Sequence, residues 1–166
     1  MIQSQHQNSN ELLEAGLALR AGLRAWAEND PFVERPALSK ALRDNWDRRI
    51  GGLKFGGVWS VAKARQNKLH PASVAALKID RSDWTGQTVT VEHAVPITVL
   101  YDVFMAANTH ALMDAVLRAY NVAVVTREED RRLRMAGLSR SMPVGWQWGD
   151  DPYARWHAVG ISVVID

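Results

Sequence analysis

Apolar residues recur at every third or fourth position through the first half of the chain, which is the spacing of one face of a helix. This pattern predicts a helix over 11–27 and a second helix over 37–50. Shorter helices are predicted over 60–68 and 71–77, the latter with a proline in its first turn. Four glycines predict a flexible turn after the second helix: Gly51, Gly52, Gly56 and Gly57.

The pattern changes after Trp84. Residues 88–91 alternate threonine with valine, which predicts a strand that ends at Glu92 and His93. Helical spacing returns over 97–119, and the apolar run 122–125 predicts a second strand. Thr126 with a glutamate three residues later forms a capping box, so a helix is predicted from there through Met135. A third strand is expected over 160–165, beside the other two.

Length and composition set the class of protein. The 166 residues fit one α+β domain, with 1–10 as a flexible N-terminus, 11–80 as a helical subdomain and 84–166 as a mixed core. The absence of cysteine excludes disulfides, thiolate metal sites and a cysteine nucleophile. The polar N-terminus has no signal-peptide pattern and no run is long enough to span a membrane, so we expect a cytoplasmic protein with no membrane partner.

The charge of the chain permits binding to nucleic acid but does not require it. The formal net charge is +2, but fifteen arginines stand against five lysines. Arginine binds carboxylate or phosphate through two parallel hydrogen bonds, which lysine cannot do. Several of these arginines follow one another at 127–140, on and after the predicted capped helix.

The segment Glu92-His93-x-x-Pro96, a strand opened by Asn121, and a helix carrying Asp130 resemble the HNH-type endonucleases with a ββα-metal core. Eight residues separate Asn121 from Asp130, as in that family. The sequence departs from the family pattern in having aspartate rather than histidine at the last motif position. It also has 27 residues between His93 and Asn121, which implies a helical insertion between the two core strands.

This resemblance implies a metal-dependent endonuclease that hydrolyses phosphodiester bonds of nucleic acid, DNA rather than RNA. It implies that His93 is the general base, that Glu92 and Asp130 bind Mg²⁺ or Mn²⁺, and that Asn121 orients the catalytic histidine. Imidazole titrates near neutral pH and carboxylates suit hard divalent ions, so the chemistry agrees with these residue types. A homodimer is expected if both strands of a duplex are cut. Phosphate contacts are expected from arginines near the motif: Arg127, Arg131, Arg132 and Arg155.

Simpler explanations exist for the same residues. A histidine at the end of a strand, such as His93, can also be a packed residue without a catalytic role. Asp130 lies in the first turn of a predicted helix, where acidic residues are common. A run of arginines on a helix is often a solvated face. Aromatic residues of the C-terminal stretch either stack on bases or cover the core: Trp146, Trp148, Tyr153 and Trp156. Two other functions therefore remain open, a non-catalytic nucleic-acid-binding module on the same scaffold and a helical interaction or regulatory protein.

Overall fold

A computed structural model describes residues 2–55, 60–66 and 71–164. Three of the four helices predicted for the first half are present, as α1 (Ile2–Asn29), α2 (Arg35–Phe55) and α3 (Val61–Gln66). Helix α1 begins at Ile2, so it also includes the segment predicted as a flexible N-terminus. The turn predicted at Gly51 and Gly52 is wrong, because α2 continues through both residues; Gly56 and Gly57 lie outside the described residues.

The predicted helix over 71–77 is also wrong. Its residues form strand β1 (Ala72–Ser73) and then a 3-10 turn over Ala76–Lys78. Ala72 is buried between two other strands, and the Ser73 hydroxyl donates to the buried Glu129 carboxylate over 2.6 Å. Strand pairing and this buried hydrogen bond outweigh the local helical preference.

The second half supplies the other elements. Strand β2 (Val89–His93) is followed by α4 (Ile97–Ala106) and α5 (His110–Ala119), so the predicted helical insertion is confirmed. Strand β3 (Val122–Thr126) leads directly into α6 (Arg127–Met135), where both hydrogen bonds of the predicted capping box are formed. A short helix α7 (Ala154–His157) and strand β4 (Val163–Val164) complete the described chain.

These strands form one sheet in the order β2-β3-β1-β4. Strands β2 and β3 are antiparallel over five pairs, from Val89 opposite Thr126 to His93 opposite Val122. Strand β1 runs parallel to β3, and β4 pairs antiparallel with β1. The expected terminal strand therefore exists, but it pairs with β1 rather than with the two motif strands.

Alternation along the strands divides the core between the two faces of the sheet. On one face, Val122 packs in the largest cluster with residues of α1, α2, α4 and α5, including Trp46, whose ring lies edge-on to Phe104 with centroids 4.8 Å apart. On the other face, Ala123 and Leu133 pack with residues of α6 and α7. The mixed α/β architecture thus places helices on both sides of a small sheet. Within the described residues, no helix is both long and apolar enough to cross a membrane.

Candidate functional site

The end of strand β2 places its two motif residues on opposite faces of the sheet. Adjacent strand residues point in opposite directions, so Glu92 and His93 cannot share a face while β2 stays paired with β3. His93 points towards α2, and Glu92 points towards α7. The two residues therefore contribute to separate arrangements.

His93 forms a hydrogen-bonded pair with Asp47 of α2. Its Nε2 atom lies 2.8 Å from Asp47 Oδ1, and the same oxygen accepts a hydrogen bond from the Tyr120 hydroxyl over 2.7 Å. Both side chains of the pair are partly buried, with exposed fractions of 16% for His93 and 17% for Asp47. A carboxylate can only accept, so in the neutral imidazole this contact places the proton on Nε2 and leaves the lone pair on Nδ1.

Tyr120 remains a hydrogen-bond donor to Asp47. Its ring is fully buried, and burial together with the neighbouring Asp47 charge raises the pKa of Tyr120 far above its ordinary value. The hydroxyl therefore stays protonated and continues to donate to Asp47 across the neutral and moderately alkaline range. One carboxylate thus accepts from a phenol and from an imidazole at the same oxygen.

Gly51, inside α2, makes room for the Tyr120 hydroxyl. A Cβ atom at this position would lie 3.1 Å from the hydroxyl oxygen, which is closer than ordinary van der Waals contact. A glycine inside a helix normally lowers stability relative to alanine. Here it allows Tyr120 to approach α2 closely enough to reach Asp47.

This close approach gives a matched pair of substitutions. Gly22→Ala in α1 meets no atom within 4 Å, so we expect it to raise the free energy of unfolding by about 0.5–1 kcal/mol. Gly51→Ala should instead lower it by about 1–3 kcal/mol, because the buried Tyr120 ring must shift. Urea unfolding of both variants measures the difference. Equal stabilisation by the two substitutions would contradict the proposed packing.

Glu92 is bound by Arg155, whose side chain is fully buried. The Arg155 guanidinium donates to the carbonyls of Ala94 over 2.9 Å and Leu138 over 2.6 Å. It also donates to the Glu92 carboxylate and to the His93 carbonyl. The structure therefore gives Arg155 a structural role, joining α7, the end of β2 and the segment after α6. It does not face solvent, where the predicted contact with nucleic acid would have to form.

Asp130 is also held by arginines. Its carboxylate lies 3.5 Å from Arg134 Nη2 and 3.8 Å from Arg127 Nη1, and the side chain is 19% exposed. With His93 on the opposite face from Glu92, the three motif side chains do not converge. Among the described residues, no group of three or more histidine and acidic side chains is placed to hold a metal ion. The predicted ligands, as arranged here, do not fit a shared Mg²⁺ or Mn²⁺ site.

The backbone of Asn121 pairs with the segment that follows His93. Its carbonyl accepts from the Ala94 amide over 2.7 Å, which extends the pairing of β2 and β3 past His93. Its side chain points elsewhere and donates to the Arg118 carbonyl near the end of α5, over 3.0 Å. Asn121 thus helps to hold the chain after His93, but its side chain does not contact the histidine within the structure.

The arginines of α6 predicted to bind phosphate are engaged with protein groups. Arg127 Nε donates to the Gly86 carbonyl over 2.6 Å, and Arg132 Nη1 donates to the Val159 carbonyl over 2.5 Å. Arg131 binds Glu128 through two hydrogen bonds of 2.9 Å, and this partner lowers the pKa of the Glu128 carboxyl. Arg127 and Arg131 remain about half exposed, but neither has all its donors free.

The aromatic residues of the C-terminal stretch divide between core and surface. Trp156 is buried behind the sheet, with the Tyr153 ring tilted against it at a centroid distance of 5.6 Å. Trp146 and Trp148 meet edge-on and line a cavity of about 270 Å³ beside α5. The core explanation therefore holds for Trp156, while the two others retain partly exposed rings.

Sequence reasoning missed the two partners of His93. Asp47 lies 46 residues away in a helix, where an acid among arginines has the pattern of a solvated face. Tyr120 sits between an amphipathic helix and a strand, where an aromatic residue is expected only to pack. Neither position carries a local signal for the contact.

No family model, no curated protein and no solved structure matches the chain.

Proposed function

We propose that this protein hydrolyses phosphodiester bonds of nucleic acid, with His93 as the general base. The observation that carries the proposal is the 2.8 Å contact between His93 Nε2 and Asp47, which orients the imidazole. No described residue forms a hydrogen bond with Nδ1, and the proposal assigns to this nitrogen the role of accepting a proton from water. The resemblance of the Glu92-His93-x-x-Pro96 segment to HNH-type endonucleases supplies the substrate class.

The chemistry of the pair follows from its geometry. Nδ1 takes a proton from a water molecule, the water oxygen attacks phosphorus, and the phosphorus–oxygen ester bond to the leaving sugar breaks. The leaving oxygen takes up a proton from solvent. The imidazolium formed in the first step faces the Asp47 carboxylate, whose negative charge stabilises it. Tyr120 holds Asp47 in place through the second hydrogen bond.

The metal requirement remains a separate prediction. A Mg²⁺ or Mn²⁺ ion bound by Glu92 and Asp130 would stabilise charge on the phosphate and on the leaving oxygen. Because both carboxylates are paired with arginines, we derive no step from such an ion. A ββα-metal core in this chain is supported only by the antiparallel β2–β3 pair, the helix α6 that follows it, and the motif spacing.

A second function is favoured by those same arginine pairs. If Glu92 and Asp130 serve only to hold Arg155 and Arg134, the chain is a nucleic-acid-binding module on a nuclease-like scaffold. This alternative retains binding and predicts no cleavage with any divalent ion.

The homodimer belongs only to the first proposal. A chain with one catalytic site would need a second copy to cut both strands of a duplex.

The deciding experiment is cleavage of supercoiled plasmid DNA and structured RNA by wild-type protein and by His93→Ala, each with Mg²⁺, with Mn²⁺ and with EDTA. We expect wild type to cleave and His93→Ala to lose activity. His157→Ala is a matched control, because His157 also contacts a carboxylate, Asp151 at 2.9 Å, but on the surface. That variant should cleave as wild type does.

Each outcome of this experiment has one meaning. Equal cleavage by wild type and His93→Ala would remove His93 as the base. Undiminished cleavage in EDTA would remove the metal requirement. Absence of cleavage under every condition, with nucleic-acid binding retained, would establish the second function.

A further inference from the structure

We propose that a cationic groove between α2 and the start of α4 binds the phosphodiester backbone of nucleic acid. The groove encloses about 340 Å³, and its polar lining is formed by Arg35, Ser39, Lys40, Arg43, Thr98 and Arg140. This inference deepens the proposed function and rests on it for the identity of the polyanion. It differs from the sequence-based prediction, which placed the phosphate contacts on Arg127, Arg131 and Arg132 of α6 and on Arg155 of α7.

The charge of the groove has one sign. Four of its lining side chains are cationic and none is a carboxylate. Arg35 and Lys40 have acidic partners outside the lining, Asp102 and Asp44 respectively. A concave surface lined by charges of a single sign concentrates the opposite charge, here the phosphates of a polyanion.

Arg43 and Arg140 carry the binding argument. Within the described residues, no carboxylate lies within 4.0 Å of either guanidinium, unlike Arg127, Arg131 and Arg134 of α6. Both residues are exposed. A guanidinium without a carboxylate partner has its planar set of donors free for the two oxygens of a phosphate.

The loop that carries Arg140 is held against α4. The Thr98 hydroxyl donates to the Arg140 carbonyl over 2.9 Å, which ties this segment to the first turn of the helix. Arg140 therefore does not depend on a nucleic acid to bring its backbone to the groove. An arginine on an ordered backbone loses less conformational entropy on binding than one on a free loop.

One lining residue of the groove, Arg43, lies near the partner of His93. Arg43 and Asp47 are four residues apart on α2, so they are neighbours on the helix surface. Arg43 is one turn, about 6 Å along the axis, from the residue that binds His93. A strand whose phosphate contacts Arg43 would thus present a neighbouring phosphodiester towards the histidine.

Binding without cleavage tests this inference. Fluorescence anisotropy with labelled duplex DNA and duplex RNA is measured for His93→Ala, so that no substrate is consumed, and for Arg43→Gln and Arg140→Gln in that background. Each arginine substitution should raise Kd about tenfold, the effect of one lost charge-assisted contact. It should also make the dependence of log Kd on log salt shallower by about one unit. The double substitution should lower the slope by about two. The DNA and RNA arms show which backbone the groove accepts.

Two control variants make the result decisive. Arg24→Gln removes the same charge from α1, where Arg24 is 51% exposed beside Glu28, and should change neither Kd nor the slope. Arg131→Gln tests the rival surface on α6. Thermal unfolding of each variant confirms that the fold is retained.

The failures of the groove and of the catalytic proposal are distinguishable. If Arg43→Gln and Arg140→Gln bind as the Arg24→Gln control does, or if only Arg131→Gln weakens binding, the groove is not the phosphate site, whatever the protein cleaves. Absence of binding to both nucleic acids would also overturn it. Loss of binding in the groove variants of a protein that never cleaves would support the groove and reject His93 as a general base.

Discussion

Arg155→Met is expected to lower the free energy of unfolding by about 3–5 kcal/mol, the cost of removing one partner of a buried ion pair. The substitution leaves the Glu92 carboxylate without its cation and removes the donor to three backbone carbonyls, those of His93, Ala94 and Leu138. For a chain of this length, such a loss corresponds to a fall in Tm on the order of 10 °C. Urea unfolding followed by circular dichroism measures it.

A surface arginine provides the control for this prediction. Arg131 binds Glu128 through two hydrogen bonds of good geometry, but its side chain is 59% exposed. Arg131→Met should therefore leave the free energy of unfolding close to that of the wild type. If Arg155→Met does not fold, Arg155→Lys, which keeps the charge but not the planar set of donors, should fold with an intermediate loss. Equal stability of the Arg155 and Arg131 variants would show that the buried network does not hold the end of β2.

Asp47→Asn is expected to lower the rate of phosphodiester cleavage by about 10²–10⁴, the range for general acid–base catalysis, with little change in nucleic-acid binding. The amide oxygen of asparagine can accept from both Tyr120 and His93, as the single Asp47 oxygen does in the wild type. The substitution therefore keeps the two hydrogen bonds and removes only the charge. Without that negative charge, the imidazolium formed during cleavage is no longer stabilised.

Two measurements separate this effect from a general disturbance of the fold. The ¹⁵N chemical shifts of the His93 ring should keep the Nε2-protonated pattern in Asp47→Asn, because the amide oxygen still accepts from the ring. Tyr120→Phe keeps the Asp47 charge and should retain the same tautomer and a larger part of the cleavage rate. A wild-type rate in Asp47→Asn, with the tautomer retained, would show that the Asp47 charge does not support His93 as the base in this protein.

Local patterns in the sequence predicted most of the helices and strands, but not the elements that depend on distant residues. The helix through Met135 was predicted with its cap, because the capping box at Thr126 involves residues only three positions apart. Strand β1 was not predicted, because its two residues become a strand only by pairing with β3 and β4, which are distant in sequence. Gly51 was read as part of a turn, since nothing near it in sequence shows that Tyr120 needs the space.

The predicted site residues show the same division. Their alternation placed Glu92 and His93 at the end of one strand, and the structure agrees. Sequence reasoning then grouped both with Asp130 because the resemblance assigns them to one centre. In the structure Glu92 binds Arg155, His93 binds Asp47 and Asp130 lies beside Arg134. The first two contacts join residues 63 and 46 positions apart, and the third joins residues one turn apart on α6, where the sequence predicts a solvated face.

Local patterns in the sequence are sufficient to predict an α+β chain without cysteine, the helical first half, the two motif strands and the capped helix that follows them. These features depend on periodicity and on neighbours within a few positions, which any segment carries with it. Long-range packing, in contrast, determines that His93 faces Asp47 and Tyr120 while Glu92 faces a buried Arg155 across the sheet. It also leaves two arginines of the groove, Arg43 and Arg140, without a carboxylate within 4.0 Å among the described residues. Pairing of charges depends on which distant segments packing brings within a few ångströms.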